Sequence, residues 1–174
     1  QAGSNLILKK MNRGYTREGY LRLIEKVRKL VPANSISTDI IVGFPGETEA
    51  DFADTLDMVR RVRFDNAFTF LFSPRSGTPA ADMPEQVPLG VKKERLNRLM
   101  ALQDRISRDI NEKLRGQELE VLVEGSSKRR KEILTGRTRT NKLVLFAGGE
   151  ELKGELVTVR ITRPQTWNLY GELI

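Results

Sequence analysis

Ser35-Ile36-Ser37-Thr38-Asp39-Ile40-Ile41-Val42-Gly43-Phe44-Pro45-Gly46-Glu47-Thr48 is the stretch on which the fold turns. It opens with a short β-branched run ending in glycine, the composition of a strand buried on both faces. Phe44-Pro45-Gly46-Glu47 then turns, and Thr48 with Asp51 three residues later has the spacing of a capping box for a helix reaching about Arg61. Upstream, Tyr20, Leu23, Ile24, Val27 and Leu30 recur at three- and four-residue steps, which predicts a helix from a Thr16 cap to Val31 with one buried face, closed by Pro32. Downstream, Phe64 to Phe72 reads as a second apolar strand. Helix, strand, helix, strand with short loops implies a parallel sheet covered by helices, because parallel strands need a crossover and that crossover is usually a helix.

Open α/β sheets and barrels take ligands at the carboxyl ends of their strands, which directs attention to Gly43–Glu47 and Ser73–Thr78. Ser73 to Pro88, rich in proline, glycine and serine, reads as a long loop. A helix from about Val91 to Arg115 follows, with Leu96, Leu99, Met100, Ile106, Ile110 and Leu114 on or near one face. After Gly116 the texture changes. Short alternating runs at Glu118–Glu124, Ile133–Arg139, Leu143–Phe146, Leu156–Thr162 and Leu169–Ile174 predict five strands closing a small antiparallel barrel, with a domain boundary near residues 112 to 116.

Two absences limit the chemistry. The 174 residues include no cysteine, hence no disulfide, thiol nucleophile or thiolate ligand for zinc or an iron–sulfur cluster. They include no histidine either, removing the usual general base and the commonest metal ligand. Chemistry by this chain alone would fall to carboxylates, lysine, tyrosine or serine. An apolar share of 39% supports a packed core. No apolar window long enough to span a membrane and no signal-peptide pattern are present, so a soluble, cytoplasmic protein with no membrane partner is expected. The opening Gln1-Ala2-Gly3-Ser4-Asn5, without methionine, reads as part of something longer. A formal charge of +7 hints at an anionic partner.

Thr38 through Thr48 resembles the fifth strand and following loop of radical S-adenosylmethionine (radical-SAM) enzymes. Lys10-Met11-Asn12-Arg13-Gly14-Tyr15-Thr16, Phe72-Ser73-Pro74-Arg75-Ser76-Gly77-Thr78-Pro79-Ala80-Ala81, Val121-Leu122-Val123-Glu124-Gly125 and Gly136-Arg137-Thr138 together resemble the methylthiotransferase family. Ser127-Lys128, Gly136 through Asn141 and Leu169-Tyr170-Gly171-Glu172 look most like the MiaB-type tRNA methylthiotransferases. The resemblance implies an α/β fold: a partial radical-SAM (βα) barrel with parallel strands and a connecting helix over residues 1–112, then an antiparallel five-stranded TRAM β-barrel, RNA-binding, over 113–174. It also implies that the first three barrel strands lie outside this chain. So do the cysteines for two [4Fe-4S] clusters, leaving this segment inactive by itself.

Asp39 lies in an otherwise apolar strand, where a carboxylate is costly unless paired or aimed at a ligand. It either caps a loop or pairs with an arginine, or, as the resemblance implies, accepts hydrogen bonds from the ribose diol of S-adenosylmethionine. By the same resemblance Ile41 packs on the adenine, Arg13 grips the methionine carboxylate, and Gln1, Ser4 and Phe72 complete the cofactor site. Gly43 and Gly46 read first as turn formers, and secondly as positions where a ligand nears the backbone. Lys128, Arg129, Arg130, Lys131, Arg137, Arg139 and Lys142, against a single Glu132, read as a solvated loop or as a basic hairpin for RNA phosphates, and the resemblance favours RNA. Trp167 stacks a base or sits half-buried in the barrel, and the second is the expectation. No residue of this chain is expected to be catalytic or to hold a metal.

The activity implied is methylthiolation of a hypermodified, N6-isopentenyl-type adenosine beside the tRNA anticodon, with one cluster generating a radical from S-adenosylmethionine and the other supplying sulfur. The implied partners are the anticodon arm of tRNA and the missing N-terminal part of the same enzyme, with either self-association through the exposed half-sheet or local disorder near residues 1 to 15 in its absence. Two alternatives are a ribosomal-protein aspartate methylthiotransferase of the same family and a non-catalytic RNA-binding module.

Overall fold

A computed structural model describes residues 1–127, 130 and 132–174. They form two compact units, Gln1–Ile106 and Ser107–Ile174.

The first unit begins with helix α1 (Asn5–Lys10), whose first turn is capped by the Ser4 hydroxyl, and α2 (Arg17–Leu30), where Thr16 Oγ1 accepts from the Gly19 N–H at 3.2 Å. Strand β1 (Ser37–Val42) leads to α3 (Glu49–Val62). Its predicted capping box is complete: Thr48 Oγ1 accepts from the Asp51 N–H at 3.2 Å while Asp51 Oδ2 accepts from the Thr48 N–H at 3.0 Å. Strand β2 (Asn66–Leu71) pairs parallel to β1, with Asp39 opposite Phe68 and Ile41 opposite Phe70. A short helix, α4 (Pro79–Asp82), interrupts the expected long loop, because Pro79 pre-sets the first helical φ. The long helix α5 (Leu89–Glu112) follows.

The expectation of burial on both faces of β1 is corrected. Ile40 and Val42 are buried against the helices with Phe52, Val59 and Phe64, whereas Asp39, Phe68 and Phe70 lie exposed on the other face of the two-stranded sheet. The helices of this unit cover only one side, and the period of two in a strand then splits each run into a buried and an open set. On α2 the apolar spacing is helical as predicted, but only Ile24 is buried, and Leu23 and Leu30 are exposed. The buried stripe of α5 keeps Leu99 and Ile106 of the predicted face but is otherwise different. It runs Lys92, Arg95, Leu99, Gln103, Ile106, mixing cations and an amide with aliphatic side chains, and Met100 stays exposed.

The second unit is a closed barrel of β3 (Glu118–Ser126), β4 (Ile133–Thr138), β5 (Leu143–Ala147), β6 (Leu156–Pro164) and β7 (Leu169–Leu173), in the order β3-β4-β5-β7-β6. Neighbouring strands are antiparallel except β5 and β7, which are parallel. A ring of five strands cannot alternate direction all the way round, so one neighbouring pair must be parallel. Val121, Val123, Leu134, Val144, Phe146, Val159, Ile161 and Leu169 fill the interior. At about 1.5–3 kcal/mol for each fully buried side chain of this size, that core is the main term holding the barrel closed.

Candidate functional site

The carboxyl ends of β1 and β2 are held from α5. Gly43 (φ 77°) and Gly46 (φ 76°) turn the chain after β1 in the left-handed region that glycine tolerates best. A Cβ at Gly43 would overlap the Lys92 side chain, and one at Gly46 would overlap Lys10 and Glu85. The space that these glycines leave is therefore filled by the protein itself, and their turn-forming role is the one the geometry supports. Lys92, 6% exposed, donates from Nζ to the Phe72 carbonyl at 3.0 Å. Arg95 donates to the Glu47 carbonyl at 3.0 Å and to Glu47 Oε1 at 2.8 Å, where the Gly43 N–H also donates at 3.1 Å. Burial pushes the Glu47 carboxyl up from its ordinary range, opposed by the Gly43 N–H and Arg95. Sequence reasoning missed Lys92 and Arg95 because Lys92-Lys93-Glu94-Arg95 reads as a solvated helix face. The available signal was their three-residue spacing in line with Leu99, Gln103 and Ile106.

Several predicted cofactor residues are brought together. The Ile41 N–H donates to the Gln1 carbonyl at 3.0 Å, and Arg13 donates to Gln1 Oε1. Asp39 shares the open face with Ile41, and among the described residues no basic side chain forms a salt bridge with it. Phe72 is half-buried, its ring edge-on to Phe44 with centroids 5.1 Å apart. Ser4 is placed elsewhere. It is 3% exposed, caps α1, and donates to Asp51 Oδ1 at 2.6 Å, so its hydroxyl is already committed to joining α1 and α3. Asp51, for its part, has a carboxyl that burial alone would raise but that the Ser4 and Thr48 hydrogen bonds hold below the usual range. A cavity of about 60 Å³, lined by Tyr15, Tyr20, Thr38, Ile40 and Phe64 among others, lies on the helix side of β1, away from Asp39. It is far smaller than the several hundred Å³ a nucleoside-sized ligand fills.

On the barrel, the described residues of the basic run are divided between the two ends of β4. Lys128, Arg129 and Lys131 lie outside the described residues, and Arg130 is exposed in the β3–β4 connection. Arg137 and Arg139 stand at the other end of β4, about 17 Å away along six residues of strand. Arg137 Nε lies 3.5 Å from Glu124 and Arg139 lies 2.8 Å from Glu120, both acids projecting from β3. Sequence spacing hid these pairs because the barrel sets β4 beside β3. Lys142 begins the approach to β5, its N–H donating to Thr138 Oγ1 at 3.0 Å. Trp167, expected to be half-buried, is 72% exposed in the β6–β7 turn, since the barrel interior is already filled by smaller side chains.

Residues 112–174 match the TRAM domain and residues 1–59 match the Radical SAM superfamily. The chain is 63% identical, over all 174 of its residues, to a tRNA-2-methylthio-N(6)-dimethylallyladenosine synthase of Moorella thermoacetica, of which it covers 39%. Proteins of the same name from Syntrophomonas wolfei, 58% identical over 173 residues with 39% covered, and Fusobacterium nucleatum, 53% identical over 174 residues with 40% covered, are similar along the same span. The chain is thus similar along its whole length to these synthases, with one partial family match in each half. It spans about two fifths of the length of these curated relatives. The methylthiotransferase similarity covers both units: the radical-SAM match contains Gln1, Ser4, Arg13, Asp39 and Ile41 but stops before Phe72, and the TRAM match contains the basic run from Lys128 to Lys142. Among the described residues no helix is long and apolar enough to cross a membrane.

Proposed function

We propose that this chain is the part of a tRNA methylthiotransferase that carries one side of the cofactor site and the RNA-binding barrel. The complete enzyme adds a methylthio group to an N6-isopentenyl-type adenosine beside the anticodon. The observation that carries this reading is the 63% identity, along the whole chain, to a relative named for that product. The tRNA name of the relatives also favours it over a ribosomal-protein substrate. Residues 1–112 then serve the cofactor and 113–174 the RNA.

Asp39 accepts the ribose hydroxyls of S-adenosylmethionine, Ile41 packs on its adenine, and Arg13 with Gln1 holds its amino-acid end. Phe72, braced by Phe44 and by Lys92 on its carbonyl, borders the site. Ser4 supports the site through Asp51 and α1 without needing to touch the cofactor. S-adenosylmethionine, on a reduced iron–sulfur cluster, supplies the radical chemistry that opens the carbon–hydrogen bond. This chain does not fit such a cluster, because it has no cysteine or histidine, and among the described residues no group of three acidic side chains could hold a metal. The two [4Fe-4S] clusters belong to the remainder of the enzyme, and this segment alone is inactive.

On the barrel, Lys128, Arg129, Arg130, Lys131, Arg137, Arg139 and Lys142 meet the phosphates of the anticodon arm, in the cytoplasm where tRNA is matured. The N-terminal part of the same enzyme covers the open face that presents Phe68 and Phe70, each more than half exposed. In its absence the two-stranded sheet self-associates, because unpaired backbone groups at a sheet edge with apolar flanks pair readily with another chain. Mass spectrometry of tRNA nucleosides from a strain lacking the complete gene tests the activity. Loss of methylthio-isopentenyladenosine with build-up of isopentenyladenosine is expected, and retention of every methylthio-adenosine would overturn it.

A further inference from the structure

Because β5 and β7 are parallel, with Val144 opposite Leu169, the turn leading into β5 and the turn leading into β7 stand side by side at one rim of the barrel. The first brings Arg139 and Lys142, and the second carries Trp167. The Trp167 turn is held from several sides: the Gln165 N–H donates to the Asn168 carbonyl at 2.8 Å, and Asn111 Nδ2 donates to the Gln165 carbonyl at 2.8 Å and the Thr166 carbonyl at 3.1 Å. Asn111 is itself buried on the last turns of α5. The first outward-facing pair before the turn, Arg163 opposite Tyr170, places its guanidinium 4.2 Å over the tyrosine ring centre. The acidic residues Glu150, Glu151 and Glu155 precede β6 and so sit at its opposite end.

A pinned turn that presents a 72% exposed indole at the rim of Arg139 and Arg163, where the acids Glu118 and Glu120 are already paired with Arg160 and Arg139, is pre-organised for a flat, anionic ligand. We propose that this rim binds an unpaired RNA nucleotide, its base stacked on Trp167 and its phosphates met by Arg139 and Arg163. This rests on the RNA-binding reading of the barrel and adds a discrimination that phosphate contacts lack. An indole stacks on a base only where that base has left its helix, so the rim selects loop over duplex. The Arg139–Glu120 pair does not oppose it, since the Arg139 side chain is 82% exposed and an exposed ion pair gives way readily to a phosphate.

Trp167 is the only tryptophan in the chain, so its emission reports on this rim alone. The 174-residue chain is titrated with an end-labelled RNA stem–loop and, separately, with a fully paired RNA of the same length, reading RNA anisotropy and tryptophan emission together. Stem–loop binding is expected to quench the emission and duplex binding to leave it unchanged. Trp167→Ala should weaken the stem–loop roughly tenfold, as expected for one lost base stack, while duplex affinity holds and Trp167→Tyr recovers most of the loss. Stem–loop binding seen by anisotropy with unchanged emission, or equal weakening of both RNAs by Trp167→Ala, would overturn the rim while leaving phosphate binding intact. Failure of both RNAs to bind would overturn the RNA reading with it.

Discussion

The Arg95 guanidinium lies 2.8 Å from Glu47 Oε1 with both side chains almost wholly withdrawn from water, at 6% and 2% exposed. Each is the other's main compensation. Arg95→Met would leave the Glu47 carboxylate buried without its partner and the Glu47 carbonyl without that donor. A loss of about 3–5 kcal/mol in stability at neutral pH is expected from urea titration, the range for breaking one side of a buried pair. A loss within experimental error would show that Arg95 is incidental.

The pH dependence of the same pair follows from the raised Glu47 carboxyl. Burial lifts it above its ordinary 4.5, so the folded protein binds this proton more tightly than the unfolded chain does. The stability so gained is fully present below the unfolded value and is lost as pH rises through the folded one. Glu47→Gln cannot titrate but still accepts from Arg95 and Gly43. Wild-type stability relative to Glu47→Gln should therefore decline as pH rises from below 4.5 toward neutral. A difference that stays level or grows would contradict the assigned direction.

Asp39→Asn should leave the fold untouched, because the side chain is exposed and no basic side chain among the described residues forms a salt bridge with it. In the complete enzyme, calorimetry should show S-adenosylmethionine binding weakened by about 1.5–3 kcal/mol, the contribution of hydrogen bonds to a charged group. Unchanged affinity would return Asp39 to the surface charges without a role.

Glu120 and Glu124 each neutralise an arginine proposed for RNA. Glu120→Gln with Glu124→Gln should tighten RNA binding and leave the barrel folded, since such exposed pairs contribute at most about 1 kcal/mol to stability. Arg137→Gln with Arg139→Gln should do the reverse, lowering the logarithmic salt slope on paired RNA by about 0.9 for each phosphate contact removed. Equal affinities and slopes for all variants, in filter binding across a salt series, would place the RNA elsewhere.

Local patterns along the chain determine much of this protein. Thr48 and Asp51 declared the start of α3 by their spacing, because a capping box involves only neighbouring residues. The β-branched run before Gly43 and the alternating runs after Gly116 declared strands, and helix between strands declared a parallel pair. The absence of cysteine and histidine is a property of composition alone and limits the chemistry whatever the fold. Tertiary structure decided the rest. Lys92 and Arg95 look solvated in sequence, yet they are buried because carbonyls and a carboxylate, from loops 20 and 48 residues distant, need donors there. The basic run looks like a single patch in sequence, yet β4 separates Arg130 from Arg137 and Arg139, and the neighbouring β3 sets acids beside the latter two. Trp167 came to the surface, and to the same rim as Arg139, only through the parallel pairing that an odd number of strands imposes. Capping and periodicity act over three or four residues and can be read along the chain, whereas burial, ion pairing and shared rims depend on segments that only the closed fold brings together.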